Sequence, residues 1–159
     1  TATPNEAKKI KGGTETDTGY KYKLFPGSTY AKAPVVTVTT DSEECYVFIK
    51  VENGIKNIET SEEGKTIAEQ IKANGWEAVA DHDGYYVYKD KVAQKATDKA
   101  LEVFETFTID GTSVNNSVLS GYEKAEVKIT ACAIQADGFD DAAAAFAACP
   151  SEFTGITGE

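Results

Sequence analysis

The segment Cys45-Tyr46-Val47-Phe48-Ile49-Lys50-Val51 constrains the fold more than any other part of the chain. Its residues alternate as in a strand, with Cys45, Val47, Ile49 and Val51 on one face. The opposite face carries Tyr46 and Phe48, so neither side is suited to water. A strand apolar on both faces must be covered on both sides, which predicts a central strand. Asn53-Gly54 ends it.

Further strands emerge from the same reasoning. Pro34 opens Val35-Val36-Thr37-Val38-Thr39, residues 101–109 alternate strongly as one strand, and residues 126–134 form another. Trp76-Glu77-Ala78-Val79 and Tyr85-Tyr86-Val87-Tyr88 flank Asp81-His82-Asp83-Gly84, a β-hairpin pattern. Thr60-Ser61-Glu62-Glu63 has capping-box spacing and predicts a helix with Ile67, Ala68 and Ile71 on its buried face, stopped by Asn74-Gly75. Residues 113–119 read as a helical turn and residues 142–148 as a short Ala-rich helix, with Asp140 and Asp141 in its first turn. This amounts to seven or eight strands with short helical insertions and no adjacent βαβ units. The spacing predicts an all-β, antiparallel β-sandwich.

One domain is expected over residues 24–150. It is preceded by a polar N-terminal extension, 1–23, in which residues 1–11 are a loose tail and Gly12-Gly13 a flexible joint. A polar tail, 151–159, ends the chain.

Sixteen lysines and no arginine face 26 acidic residues, a formal charge of −10. That excludes nucleic-acid or anionic-membrane binding driven by bulk charge. A hydrophobic content of 41% is too high for an acidic disordered tail and supports a core. No apolar run reaches the ~18 residues of a membrane-spanning helix, so no membrane insertion is expected. The chain starts at Thr1 and contains no Met. Removal of an export signal is the economical reading, and it predicts a secreted protein.

Three cysteines permit one intramolecular disulfide at most. The expected bridge is Cys45–Cys132, with Cys132–Cys149 as the competing pairing and three buried thiols as the plain alternative. Zinc is disfavoured, because no Cys-x-x-Cys pair is present.

Little else suggests chemistry. His82, the single histidine, occupies a turn whose Asp and Gly neighbours supply backbone geometry. Asp137-Gly138-Phe139-Asp140-Asp141 offers oxygen ligands without the alternating spacing of a calcium loop, and helix capping explains it more simply. Tyr85, Tyr86 and Trp76 are candidates for a sugar-stacking face, against which stands ordinary cross-strand packing. Lys50 and Lys128 lie within strands, where solvent-facing alternation accounts for them without an isopeptide crosslink. No enzyme, catalytic residue, metal or cofactor is expected.

Several segments resemble one family. They are Leu24-Phe25-Pro26-Gly27-Ser28-Thr29, Val36-Thr37-Val38, the run from Ser42 through Asn53, Thr66-Ile67-Ala68 and Asn74-Gly75-Trp76. Val87-Tyr88-Lys89 and the run from Ile129 through Phe139 complete the set. In order and spacing they resemble the TasA/camelysin-like exported proteins of Gram-positive bacteria. Thr1-Ala2-Thr3-Pro4-Asn5-Glu6-Ala7 is similar to the start of the mature chain in those proteins, after their signal has been cleaved. The resemblance implies a jelly-roll sandwich at the cell surface or in the extracellular matrix. It implies self-association into biofilm fibres, with accessory matrix proteins as further partners. Camelysin-like members have been described as metalloproteases, but this chain has no His-Glu-x-x-His, so peptidase activity is not carried over.

In fibre-forming relatives the N-terminal segment completes the sheet of the next subunit. By that resemblance residues 1–11 are the candidate donor strand, with Ala2, Ala7 and Ile10 as apolar anchors and Gly12 and Gly13 as the joint. An isolated extended segment has nothing to offset its ordering entropy, so residues 1–11 are expected to become ordered only against a neighbour. The leading expectation is a filament subunit. A secreted, monomeric carbohydrate-binding module is the alternative.

Overall fold

The computed structural model describes residues 2–6, 13–16, 19–38, 42–94 and 99–155, and the side chains of 23–38, 43–92 and 99–155. The first strands are β1 (Ala2–Glu6), β2 (Gly13–Thr16), β3 (Gly19–Tyr22), β4 (Thr29–Ala31), β5 (Pro34–Val38) and β6 (Ser42–Asn53). Then come helix α1 (Ile67–Ala73) and strands β7 (Trp76–Ala78), β8 (Tyr85–Tyr88), β9 (Val92–Gln94), β10 (Lys99–Glu102) and β11 (Thr106–Thr108). The chain continues through α2 (Asn116–Leu119), β12 (Val127–Gln135), α3 (Ala142–Ala147) and α4 (Ser151–Thr154).

The largest sheet has the order β12-β6-β8-β7, with β9 also pairing β6, and a second has the order β1-β5-β10. β4 pairs β11, β2 pairs β3, and all these pairings are antiparallel. The fold is β-rich and antiparallel, as expected. Its spine is the β6–β12 ladder, which runs without a slip from Val127 opposite Asn53 to Gln135 opposite Cys45. Gly54 terminates it: its N–H donates to Glu126 O at 2.8 Å, and a Cβ there would stand 2.5 Å from that same oxygen. Only glycine permits this approach.

β6 is covered on both faces. Val47 and Ile49 are fully buried in the main core with Val36 and Val38 of β5, Leu101 of β10 and Trp76 of β7. On the other face Tyr46 and Phe48 meet Tyr85 and Val87 of β8, Phe146 of α3 and Phe153 of α4. Phe146 sits edge-on to Phe48 and Tyr85, each at 5.4 Å between centroids, a favoured aromatic geometry. Tyr85 donates its hydroxyl to the carbonyls of Phe153 and Thr154, both at 2.9 Å. Residues 151–155 are therefore not simply a polar tail, since α4 closes this second core through Phe153.

Residues 101–109 do not make one strand. β10 pairs β5, β11 pairs β4, and the chain between them changes sheet. Consecutive Val103 and Phe104 are both buried, which breaks the alternation. The break leaves backbone groups without ladder partners, and side chains from α1 and its C-terminal end satisfy them. Trp76 Nε1 donates to Glu102 O at 2.9 Å, Asn74 Nδ2 to Val103 O at 3.1 Å and Gln70 Nε2 to Thr106 O at 2.8 Å. Gln70 Oε1 also accepts from the N–H groups of Glu105 and Thr106, each at 3.1 Å. The Gln70 amide behaves as a substitute strand edge.

The helix begins later than the Thr60–Glu63 pattern predicts. The capping box is Thr66 with Glu69, and Gly64 adopts a positive φ of 76° that interrupts any earlier helix. Thr60 instead accepts from the Glu62 N–H at 3.2 Å in a local turn. Ile67 and Ile71 are buried as expected, whereas Ala68 is exposed. Glu59, which no local sequence pattern marks, accepts from the Ile67 N–H and from Asn53 Nδ2 and so ties the end of β6 to the helix entry. Burial pushes its carboxyl up, against the pull of these hydrogen bonds.

The loop after β11 is organised by Asp110, whose carboxylate accepts from the N–H groups of Thr112 and Ser113, each at 3.1 Å, and from both hydroxyls. Gly111 then fits against the turn at Gly27, where a Cβ on Gly111 would come within 3.0 Å of Gly27 Cα. The Ser113 hydroxyl and the Thr112 donors hold the Asp110 carboxyl down at about 2.

These contacts can be tested by substitution. Replacing Gln70 by Leu leaves two N–H groups and a carbonyl at the strand break without their partner, and should cost about 1–3 kcal/mol, read from the urea midpoint. For Asp110, the folded carboxyl titrates below its ordinary 3.8. Its stabilisation is therefore complete above 3.8 and disappears as pH falls from there through about 2. Asp110→Asn should unfold more readily than the parent at pH 6, with the gap narrowing across that acid window in urea titrations.

Candidate assembly surface

β5 is the strand on which an N-terminal donor would act. Alternation turns Pro34, Val36 and Val38 inward, with Val36 and Val38 almost fully buried, while Val35 and Thr37 stay partly accessible. β10 occupies one edge of β5, with Leu101 opposite Val36. β1 occupies the other, with Ala2 opposite Val38, Pro4 opposite Val36 and Glu6 opposite Pro34. Pro4 has no N–H to offer, which an outermost strand tolerates. β1 also runs close to β12, so it lies where the two main sheets approach.

This corrects the expectation that residues 1–11 order only against a neighbour. Ala2–Glu6 pairs with β5 of its own chain. The physical reason is tethering: residues 7–33 join the strand to its acceptor in one chain, so the pairing is intramolecular and independent of protein concentration. Of the other candidate donor residues, Gly13 opens β2, which pairs with β3 in a hairpin, so the polar start contains more strand than its composition suggests. Ala7, Ile10 and Gly12 lie outside the described residues, as does Thr1.

The expected Cys45–Cys132 bridge is not formed. All three cysteines are free thiols. In the β6–β12 register Cys45 lies opposite Gln135, while Cys132 lies opposite Phe48. Side chains alternate across a sheet, so Cys45 joins the main core and Cys132 packs against the second one. Cys45 donates to Val92 O at 3.3 Å, and burial pushes its thiol up. The structure instead brings Cys132 to Cys149, with 3.7 Å between their Sγ atoms.

The remaining candidates are absorbed by the fold. His82 is half-buried, its ring 4.7 Å from that of Phe146. Asp81 before it adopts a positive φ of 62°, a conformation Asp tolerates in turns. Asp141 caps α3 by accepting from the Ala144 N–H at 2.8 Å. Trp76 and Tyr85 are buried, at 1% and 9% exposure, so with Tyr86 they do not form the open stacking face that a sugar-binding reading needs. Lys50 stands 3.7 Å from Glu52, with its ammonium 5.8 Å above the Tyr85 ring, and Lys128 is exposed. No described helix is long and apolar enough to cross a membrane.

The chain matches no family model, no curated protein and no solved structure. If β1 is the removable outer strand of its sheet, deletion of residues 1–6 should leave a folded domain while one edge of β5 loses its partner. Amide exchange in Pro34–Val38 should then rise, with β6 and β12 remaining protected. Unchanged exchange in β5 would contradict the pairing.

Proposed function

We propose that this protein is a structural, non-catalytic subunit of an extracellular filament, in which each chain lends β1 to the β5 edge of the next. The observation that carries the reading is the position of β1: it is an edge strand of the β1-β5-β10 sheet, paired to β5 through backbone groups. Such a strand can leave without disturbing the interior of the sheet. Its departure exposes a row of N–H and C=O groups beside Val36 and Val38, and an identical strand from another copy can restore every bond in the same register. Exchange in one direction is head-to-tail, so it propagates as an open filament. On this reading the cis arrangement is the closed subunit and the trans arrangement the fibre.

The finer fold that goes with it is a jelly-roll sandwich, and the setting is the secreted matrix of a Gram-positive bacterium, with accessory matrix proteins as further partners. These rest on the sequence resemblance to the TasA/camelysin-like proteins. A formal charge of −10 makes subunits repel, so assembly by backbone pairing should be favoured as salt screens that repulsion.

The test uses the register. Thr3 lies opposite Thr37. A chain carrying Thr3→Cys and Thr37→Cys, assembled at high concentration and oxidised, should yield a ladder of covalent oligomers together with filaments by electron microscopy. Filaments that crosslink only within single chains would overturn strand donation. Failure of the unmodified chain to polymerise across concentration and salt would overturn the filament itself.

A further inference from the structure

We propose that Cys132 and Cys149 form a redox-closed disulfide that fastens the C-terminal helices onto β12. Their sulfurs are 3.7 Å apart, brought together by two elements with separate reasons for their positions. The β6–β12 register turns Cys132 toward the second core. Cys149 comes just after α3, held by its N–H donating to Phe146 O at 3.0 Å, and is buried in the same core. A disulfide requires the sulfurs to close from 3.7 Å to about 2.05 Å. Cys149 also stands directly before Pro150, the residue preceding α4. One bond would therefore anchor both helices that cover Tyr46 and Phe48. Cys45 is excluded, because it lies on the opposite face and donates to Val92 O.

The two thiols are not equivalent. Cys132 is half-buried and Cys149 buried, so an oxidant meets Cys132 first. A thiolate at Cys132 accepts a hydrogen bond from Cys149, which holds the Cys132 thiol below its ordinary value. The same hydrogen bond, with burial, pushes Cys149 up. With a small disulfide such as oxidised glutathione as oxidant, the Cys132 thiolate attacks one glutathione sulfur. The glutathione S–S bond breaks, a Cys132–glutathione mixed disulfide forms, and the departing glutathione thiolate takes up the proton lost by Cys132. Cys149 then gives up its proton and attacks Cys132 Sγ, expelling the second glutathione, which is protonated in turn. Two protein thiols are oxidised and one glutathione disulfide is reduced.

This inference is independent of the filament reading and is tested on the chain of residues 1–159 in dilute solution. After incubation with oxidised glutathione the intact mass should fall by about 2 Da, reversibly with reductant. Non-reducing peptide mapping should return one crosslinked species joining Cys132 to Cys149, with Cys45 alkylated only after unfolding. Closing this loop should raise the melting temperature by ~5–10 °C. Cys149→Ser should retain one glutathione on Cys132, because the resolving thiol is gone. Free Cys132 and Cys149 after prolonged oxidation, a bond involving Cys45, or a stable glutathione adduct on the unsubstituted chain would each overturn the proposal. The mapping needs no variant, so misfolding of Cys149→Ser would not obscure the result.

Discussion

Strand β6 carries apolar side chains on both faces, and the layers of the molecule are arranged to keep both dry. One face is met by β5 and β10, the other by α3 and α4. The magnitudes explain why the helical cover belongs to the fold. Tyr46, Phe48, Tyr85 and Val87 would all be uncovered without it, and burial of such side chains contributes ~1.5–3 kcal/mol each. Four of them amount to roughly 6–12 kcal/mol, comparable with the entire net stability of an ordinary domain. The short helices near the end of the chain are as necessary to β6 as the second sheet.

A change of sheet is the second constraint. The chain leaves β5 at the end of β10 and joins β4 as β11, and other backbone meets the needs of the segment between them only in part, through Val103 N–H to Pro34 O and Lys32 N–H to Glu105 O. Buried or half-buried peptide groups need partners, and here side chains supply them. Gln70, Asn74 and Trp76 lie within a short stretch of sequence and reach three carbonyls and two N–H groups. Helix α1 thus has two roles: Ile67 and Ile71 fill the core, while its polar positions near the C-terminal end bridge the gap.

The N-terminal strand differs from both. β1 adds backbone pairing at an outer edge, and its contacts with β5 would be the same whether the strand came from its own chain or from another. Contact energies therefore do not choose between the closed subunit and the exchanged one. Tethering favours the closed form in dilute solution, whereas in the filament we propose subunit concentration and the cooperativity of growth would favour exchange.

The sequence by itself determined the elements whose evidence is local. The two-faced β6, the β7–β8 hairpin, the Ala-rich α3 and the stop at Asn74-Gly75 are legible because alternation, turn residues and caps lie within a few positions of one another. The antiparallel, strand-rich character comes from them. Tertiary structure decided what depends on partners distant in the chain. Residues 101–109 keep a strand's alternation almost throughout, yet they divide because Gln70, Asn74 and Trp76 satisfy the backbone at the break. Capping-box spacing occurs at both Thr60 and Thr66, and Glu59 docking onto the Ile67 N–H accompanies the choice of the second. The cysteine pairing was undecidable for a related reason: a sheet assigns side chains to opposite faces by register, and register is a property of two strands together. Cys45 and Cys132 look equivalent in the sequence, and the β6–β12 ladder alone puts them on different sides.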